Sequence, residues 1–81
     1  MAANAPWHIL TSTMLRAVSY DETTRQLRVR FSNGTIYRYY DVPAEVVDTL
    51  LDPPDSSHGR YFNDTIRDGF DYDEEVARPL A

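Results

Sequence analysis

Apolar and polar residues alternate most regularly from Gln26 to Phe31. Leu27, Val29 and Phe31 share one parity, and Arg28 and Arg30 share the other. This period of two predicts an antiparallel strand with one face buried. Met14 to Tyr20 reads as the strand before it, with Met14, Arg16, Val18 and Tyr20 on one side. The polar stretch Asp21 to Arg25 has the length of a hairpin connection. Asn33-Gly34 is a strong hairpin signal. Thr35 to Tyr40, rich in β-branched and aromatic residues, is the third strand.

Beyond Asp41 the period changes. Pro43 suits a first helical position, Glu45 places a negative charge in the first turn, and Val46, Val47, Leu50 and Leu51 fall on one helical face. Pro53-Pro54 stops that helix. Ser56 and Ser57 are good N-caps for a second helix, whose stripe is Phe62, Ile66 and Phe70 and which Gly69 ends. The expected fold class is α+β, a three-stranded antiparallel β-meander followed by two α-helices packed on one face. Residues 1–8 read as a flexible N-terminal tail whose Trp7 packs back on the core edge. Residues 9–72 form the domain, and residues 73–81 read as a disordered acidic C-terminal tail.

The 81 residues suffice for one domain with a thin core. No cysteine is present, which excludes disulfides and thiolate metal sites. No apolar run approaches the roughly 20 residues of a membrane span, and the first residues carry no signal-peptide pattern. A cytoplasmic protein without membrane contact is therefore expected. The net charge of −5 argues against a general nucleic-acid binder, but it is unevenly spread. Residues 1–40 sum to +3, with all their cations arginine, and residues 41–81 sum to −8. This split suggests a basic working face beside an acidic one.

Catalytic chemistry finds no support in the residue pattern. There is no nucleophile elbow, no HExxH and no phosphate loop. His58 with Asp55 and Asp64 is the one grouping that resembles a metal-ligand set, and it lacks the spacing of one. The expectation is a non-enzyme with no cofactor and no metal.

Two blocks carry candidate binding residues. In the first, Tyr37-Arg38-Tyr39, the turn decides the outcome. A two-residue turn at Asn33-Gly34 puts Arg28, Arg30, Tyr37 and Tyr39 on one face, a platform on which bases stack and phosphates are held. A three-residue turn with Gly34 in a bulge instead puts Tyr37 and Tyr39 in the core beside Leu27 and Val29, leaving Arg28, Arg30 and Arg38 on the open face. The second block is Gly59-Arg60-Tyr61-Phe62-Asn63-x-x-Ile66-Arg67. Phe62 and Ile66 are core residues in this reading. Asn63 either bonds the backbone of the 53–57 loop or joins Arg60 and Arg67 around an anion near the second helix N-terminus.

Three stretches, in order, resemble a KTSC domain over Ser12 to Tyr72. The first is the strand ending Tyr20-Asp21 with the Leu27-x-Val29-x-Phe31-x-x-Gly34 hairpin. The second is Tyr37-Arg38-Tyr39 followed by Val42-Pro43. The third is Gly59-x-Tyr61-Phe62-Asn63-x-x-Ile66-Arg67. That family occurs as a C-terminal extension of some bacterial lysyl-tRNA synthetases and as single-domain bacterial and phage proteins. The resemblance implies a small binding module, with RNA (tRNA or a single strand) as the partner proposed for the family. Two positions depart from the family pattern: His58 stands where the family carries Lys, and Val47 where it tends to carry Tyr. The interface expected on this reading is Arg16, Arg28, Arg30, Tyr37, Arg38 and Tyr39. The alternative is an acidic module that docks on a protein partner with a basic surface, or inhibits a nucleic-acid-handling enzyme, through Asp71, Asp73, Glu74 and Glu75. A monomer is expected, or a weak homodimer paired through an exposed third strand.

Overall fold

The structure, a computed structural model, describes residues 6–54 and 57–75. Its centre is an antiparallel sheet of five strands in the order β1-β2-β3-β4-β5. The strands are β1 (His8–Ile9), β2 (Leu15–Asp21), β3 (Gln26–Phe31), β4 (Ile36–Tyr39) and β5 (Tyr72–Glu75). Helix α1 (Ala44–Leu51) and helix α2 (His58–Tyr61), which runs on into a π-helical segment Phe62–Ile66, lie between β4 and β5. The α+β class, the central meander and the helical second half follow the hydrophobic pattern.

Two strands were not expected. β1 straddles the boundary expected between the N-terminal tail and the domain, with His8 in the tail, and it is too short to register as a periodic signal. β5 includes residues 73–75 of the expected acidic tail; residues 76–81 of that tail lie outside the described residues. The run Tyr-Asp-Glu-Glu has poor strand propensity, and cross-strand pairs override it. Tyr72 opposes Tyr39, and Asp73 opposes Arg38. The edge foreseen on the third strand is thus occupied, and among the described residues β5 is the edge on that side.

A register shift between Leu15 and Ala17 places Arg16 and Ala17 together opposite Arg30. Such a bulge changes the parity of the strand. Leu15 is therefore buried with Val18, and Arg16 is exposed.

Among the described residues the core is a single cluster. Leu15, Val18, Leu27, Val29 and Tyr39 from the sheet meet Val42, Val47, Leu50, Phe62 and Ile66 from the helical half. Burying Val47 and Leu50 leaves Val46 and Leu51 flanking the same cluster, as the helical spacing requires. Phe62 stands edge-on to both Phe31 and Tyr39, with ring centroids 5.4 and 5.6 Å apart.

Pro43 sits just ahead of α1 in extended backbone, and its carbonyl accepts from the Val46 and Val47 N–H groups. Ser57 caps α2, its Oγ accepting from the Arg60 N–H at 3.2 Å; Ser56 lies outside the described residues. The second helix is shorter than its stripe implied. Its π turn is closed by the Arg67 N–H donating to the Phe62 carbonyl at 2.9 Å, and the chain turns away at Gly69.

Candidate functional site

The β3–β4 turn settles the parity of the Tyr37-Arg38-Tyr39 block. The Phe31 N–H donates to the Thr35 carbonyl, and the Gly34 N–H donates to the Phe31 carbonyl. The loop is therefore three residues long, with Gly34 at φ +93°, a conformation that suits glycine. Val29 then opposes Tyr37, Leu27 opposes Tyr39, and Arg28 opposes Arg38.

Tyr37 and Tyr39 consequently lie on the face opposite Arg28, Arg30 and Arg38, and the combined arginine–tyrosine platform does not form. Tyr39 is 1 % exposed, buried under the helical segment, and burial pushes its hydroxyl up to about 12. Tyr37 is half-buried beside it. Tyr72 of β5 lies against both rings, with centroids 5.3 Å from Tyr37 and 5.2 Å from Tyr39. The tyrosines close the core at the β5 side, with Tyr72, half exposed, the most open to solvent of the three.

The face opposite the helices collects the arginines. Arg28, Arg30 and Arg38 alternate outward from β3 and β4, and the bulge adds Arg16 beside Arg30. Direct opposition of Arg28 and Arg38 is unfavourable unless an anion stands between them. Glu75 supplies that anion. Its Oε1 accepts from Arg28 Nε and from Arg38 Nη2, each at 3.0 Å, and its Oε2 accepts from Arg28 Nη2 at 2.8 Å. The Arg28 hydrogen bonds hold the Glu75 carboxyl below its ordinary value.

On its other side the Arg28 guanidinium lies over the Trp7 ring, 4.8 Å from the centroid. Trp7 thus packs on the arginine face and not on the core edge. Next to Arg38, Tyr40 donates to Asp73 Oδ2 at 2.8 Å. Among the described residues neither Arg16 nor Arg30 forms an ion pair, and both are exposed.

The second block is largely structural. Gly59 packs against the turn before β2; a Cβ there would lie 3.6 Å from Met14 Cβ and 3.7 Å from Ser12 Oγ. Ser12 Oγ in turn accepts from the Met14 and Leu15 N–H groups. Asn63 Nδ2 points to Met14 Sδ at 3.9 Å, so it faces this turn. Tyr61 packs at the core margin, and Arg60 and Arg67 are exposed. His58 Nδ1 donates to the Leu50 carbonyl at 2.8 Å, tying α2 to the end of α1. Asp55 lies outside the described residues. Among the described residues no three His, Asp or Glu side chains converge as a metal-ligand set, and no helix is long and apolar enough to cross a membrane.

Sequence reasoning missed Trp7 and Glu75 as parts of the arginine face. The signal for Trp7 was a large aromatic side chain in a stretch read as a tail. Glu75 gave none beyond its charge, because its partners lie in strands far away in the chain.

The KTSC domain model matches residues 11–70. A protein of Stutzerimonas stutzeri, itself uncharacterised, is 45% identical over 58 residues, covering 72% of this chain and 79% of its own. A lysine–tRNA ligase of Nostoc sp. is 36% identical over 62 residues; these are 76% of this chain but only 11% of the ligase. The crystal structure of the KTSC domain protein from Yersinia pestis superposes with a TM-score of 0.79 at 24% identity, over 88% of this chain and 97% of that one. With the family match spanning most of the chain and a similar fold in that solved structure, the chain belongs to the KTSC domain family.

Proposed function

We propose that this protein is a non-catalytic module that binds RNA through the helix-free face of its sheet. One observation carries the reading: register and bulge together gather Arg16, Arg28, Arg30 and Arg38 on that face, in a chain whose net charge is −5. A local basic surface on an acidic protein favours a polyanion at that surface alone. The indole of Trp7, over Arg28, adds an aromatic group to the same face. The relation to a segment of lysine–tRNA ligases supports an RNA-related, cytoplasmic setting.

A backbone amide titration with tRNA and a short single-stranded RNA, at low and physiological salt, tests the reading. Shifts on Arg16, Ala17, Arg28, Arg30 and Arg38 that fade steeply with salt are expected. Binding indifferent to salt, or shifts confined to the helical segment, removes it.

A second reading rests on β5, an edge strand among the described residues, whose Asp73 and Glu74 are exposed next to Asp71. A basic extended segment of a protein partner complements such an edge. Reversal of Asp71, Asp73 and Glu74 to Lys abolishes partner capture on this reading and leaves it intact on the first.

A further inference from the structure

The opposition of Arg28 and Arg38 creates a demand for an anion, and the way Glu75 meets it is incomplete. The carboxylate offers two oxygens in one plane. They take three N–H donors, two from Arg28 and one from Arg38. A further donor, Arg38 Nε, is buried and has no acceptor among the described residues. Such an orphan donor is costly. A phosphate keeps the paired, charge-assisted contact with Arg28 and adds oxygens in tetrahedral directions.

We propose that Arg28 and Arg38 form a phosphate-binding fork, and that the Glu75 carboxylate stands where a phosphate group of a nucleic acid binds. This deepens the RNA reading above and rests on it for the identity of the ligand. Exchange is accessible. Glu75, in β5, pairs with Ile36, and its side chain is 33% exposed. An open cavity of about 150 Å³, lined by Arg38, Tyr40, Asp73, Glu74 and Glu75, gives solvent a route to the fork. Tyr40 engages Asp73, the neighbouring acid on this face. Trp7 holds the plane of Arg28 from the other side, so the guanidinium stays oriented when the carboxylate leaves.

The test follows the arginine side-chain Nε–H signals of the full chain, in the native protein, Glu75→Gln and Glu75→Ala. The probes are inorganic phosphate and a short single-stranded RNA with or without a 5′-phosphate. Glu75→Gln keeps the size of the side chain and guards against loss of β5. Phosphate is expected to bind both variants roughly tenfold tighter than the native chain. The shifts fall on Arg28 and Arg38, and adding Arg38→Ala removes the gain. Equal phosphate affinity in all three proteins, or a gain that survives Arg38→Ala, overturns the fork. RNA binding that ignores Glu75 sinks the fork and leaves the RNA reading standing. Phosphate binding at the fork with no RNA bound at low salt supports the fork and removes the RNA reading. Preference for the 5′-phosphorylated strand supports the fork with a terminal phosphate as its ligand, and equal binding of the two strands supports it with a backbone phosphate.

Discussion

Glu75 grips Arg28 through two parallel hydrogen bonds, 3.0 Å from Nε and 2.8 Å from Nη2, across 47 positions of the chain. The pair fastens the last strand to the third, over the strand between them. Because both side chains are partly solvated, its net worth is modest, about 1 kcal/mol. Glu75→Ala is therefore expected to lower the unfolding midpoint by a few degrees and to speed amide exchange in Tyr72–Glu75 more than in β3. Exchange that stays uniform across the sheet contradicts this placement.

The same pair gives the edge strand an acid sensitivity. The Glu75 carboxyl titrates below its ordinary 4.5, chiefly through the Arg28 hydrogen bonds. A depressed folded-state value means the contribution is complete above the ordinary value. It is lost as pH falls through the depressed one. Protection of the β5 amides should fall below about pH 4.5 in the native chain and stay flat there in Glu75→Gln.

Tyr39 produces the opposite dependence. Its folded value is pushed to about 12 by burial and by the neighbouring tyrosines, against an ordinary 10. A raised folded value stabilises the fold below pH 10 and loses that contribution as pH climbs toward 12. On the order of 2 kcal/mol is at stake. Denaturant unfolding at stepped alkaline pH should show this loss in the native chain and a smaller one in Tyr39→Phe. Tyr39→Ala removes a buried ring and costs about 3–5 kcal/mol at neutral pH.

Two glycines separate backbone strain from steric exclusion. Gly34 has φ +93° and open space around a would-be Cβ, so Gly34→Ala costs only the conformational penalty, about 1 kcal/mol. At Gly69 a Cβ would stand 2.4 Å from the Thr65 carbonyl oxygen, so Gly69→Ala must move the chain that leaves the π turn. Thermal unfolding should rank Gly69→Ala as the more damaging change.

The α+β class and the helix-side core were legible in the sequence because periodicity reports burial directly. Leu27, Val29, Val47, Leu50, Phe62 and Ile66 lie where their spacing places them. The sheet face of Tyr37 and Tyr39 was not legible, because one residue of loop length at Ser32–Gly34 inverts it. β5 was hidden for a different reason. Its stability comes from partners distant in the chain, Arg28, Arg38, Tyr37 and Tyr39, and no local preference of Tyr72–Glu75 reports them. The candidate face inherited both uncertainties. Its arginines could be listed from the chain, whereas the carboxylate and the indole that hold Arg28 emerged only with the folded register.

Strand order has a kinetic consequence. Each of β1 to β4 lies beside its neighbour in the chain, so these four can zip together through short loops. β5 returns to β4 only after the whole helical half has been laid down. Closing that longer loop comes late. Substitutions in β5 should therefore accelerate unfolding and leave the refolding rate nearly untouched, whereas changes at Val29 or Tyr39 slow refolding. The edge that carries Glu75 is then the last of these five strands to form and the first to let go.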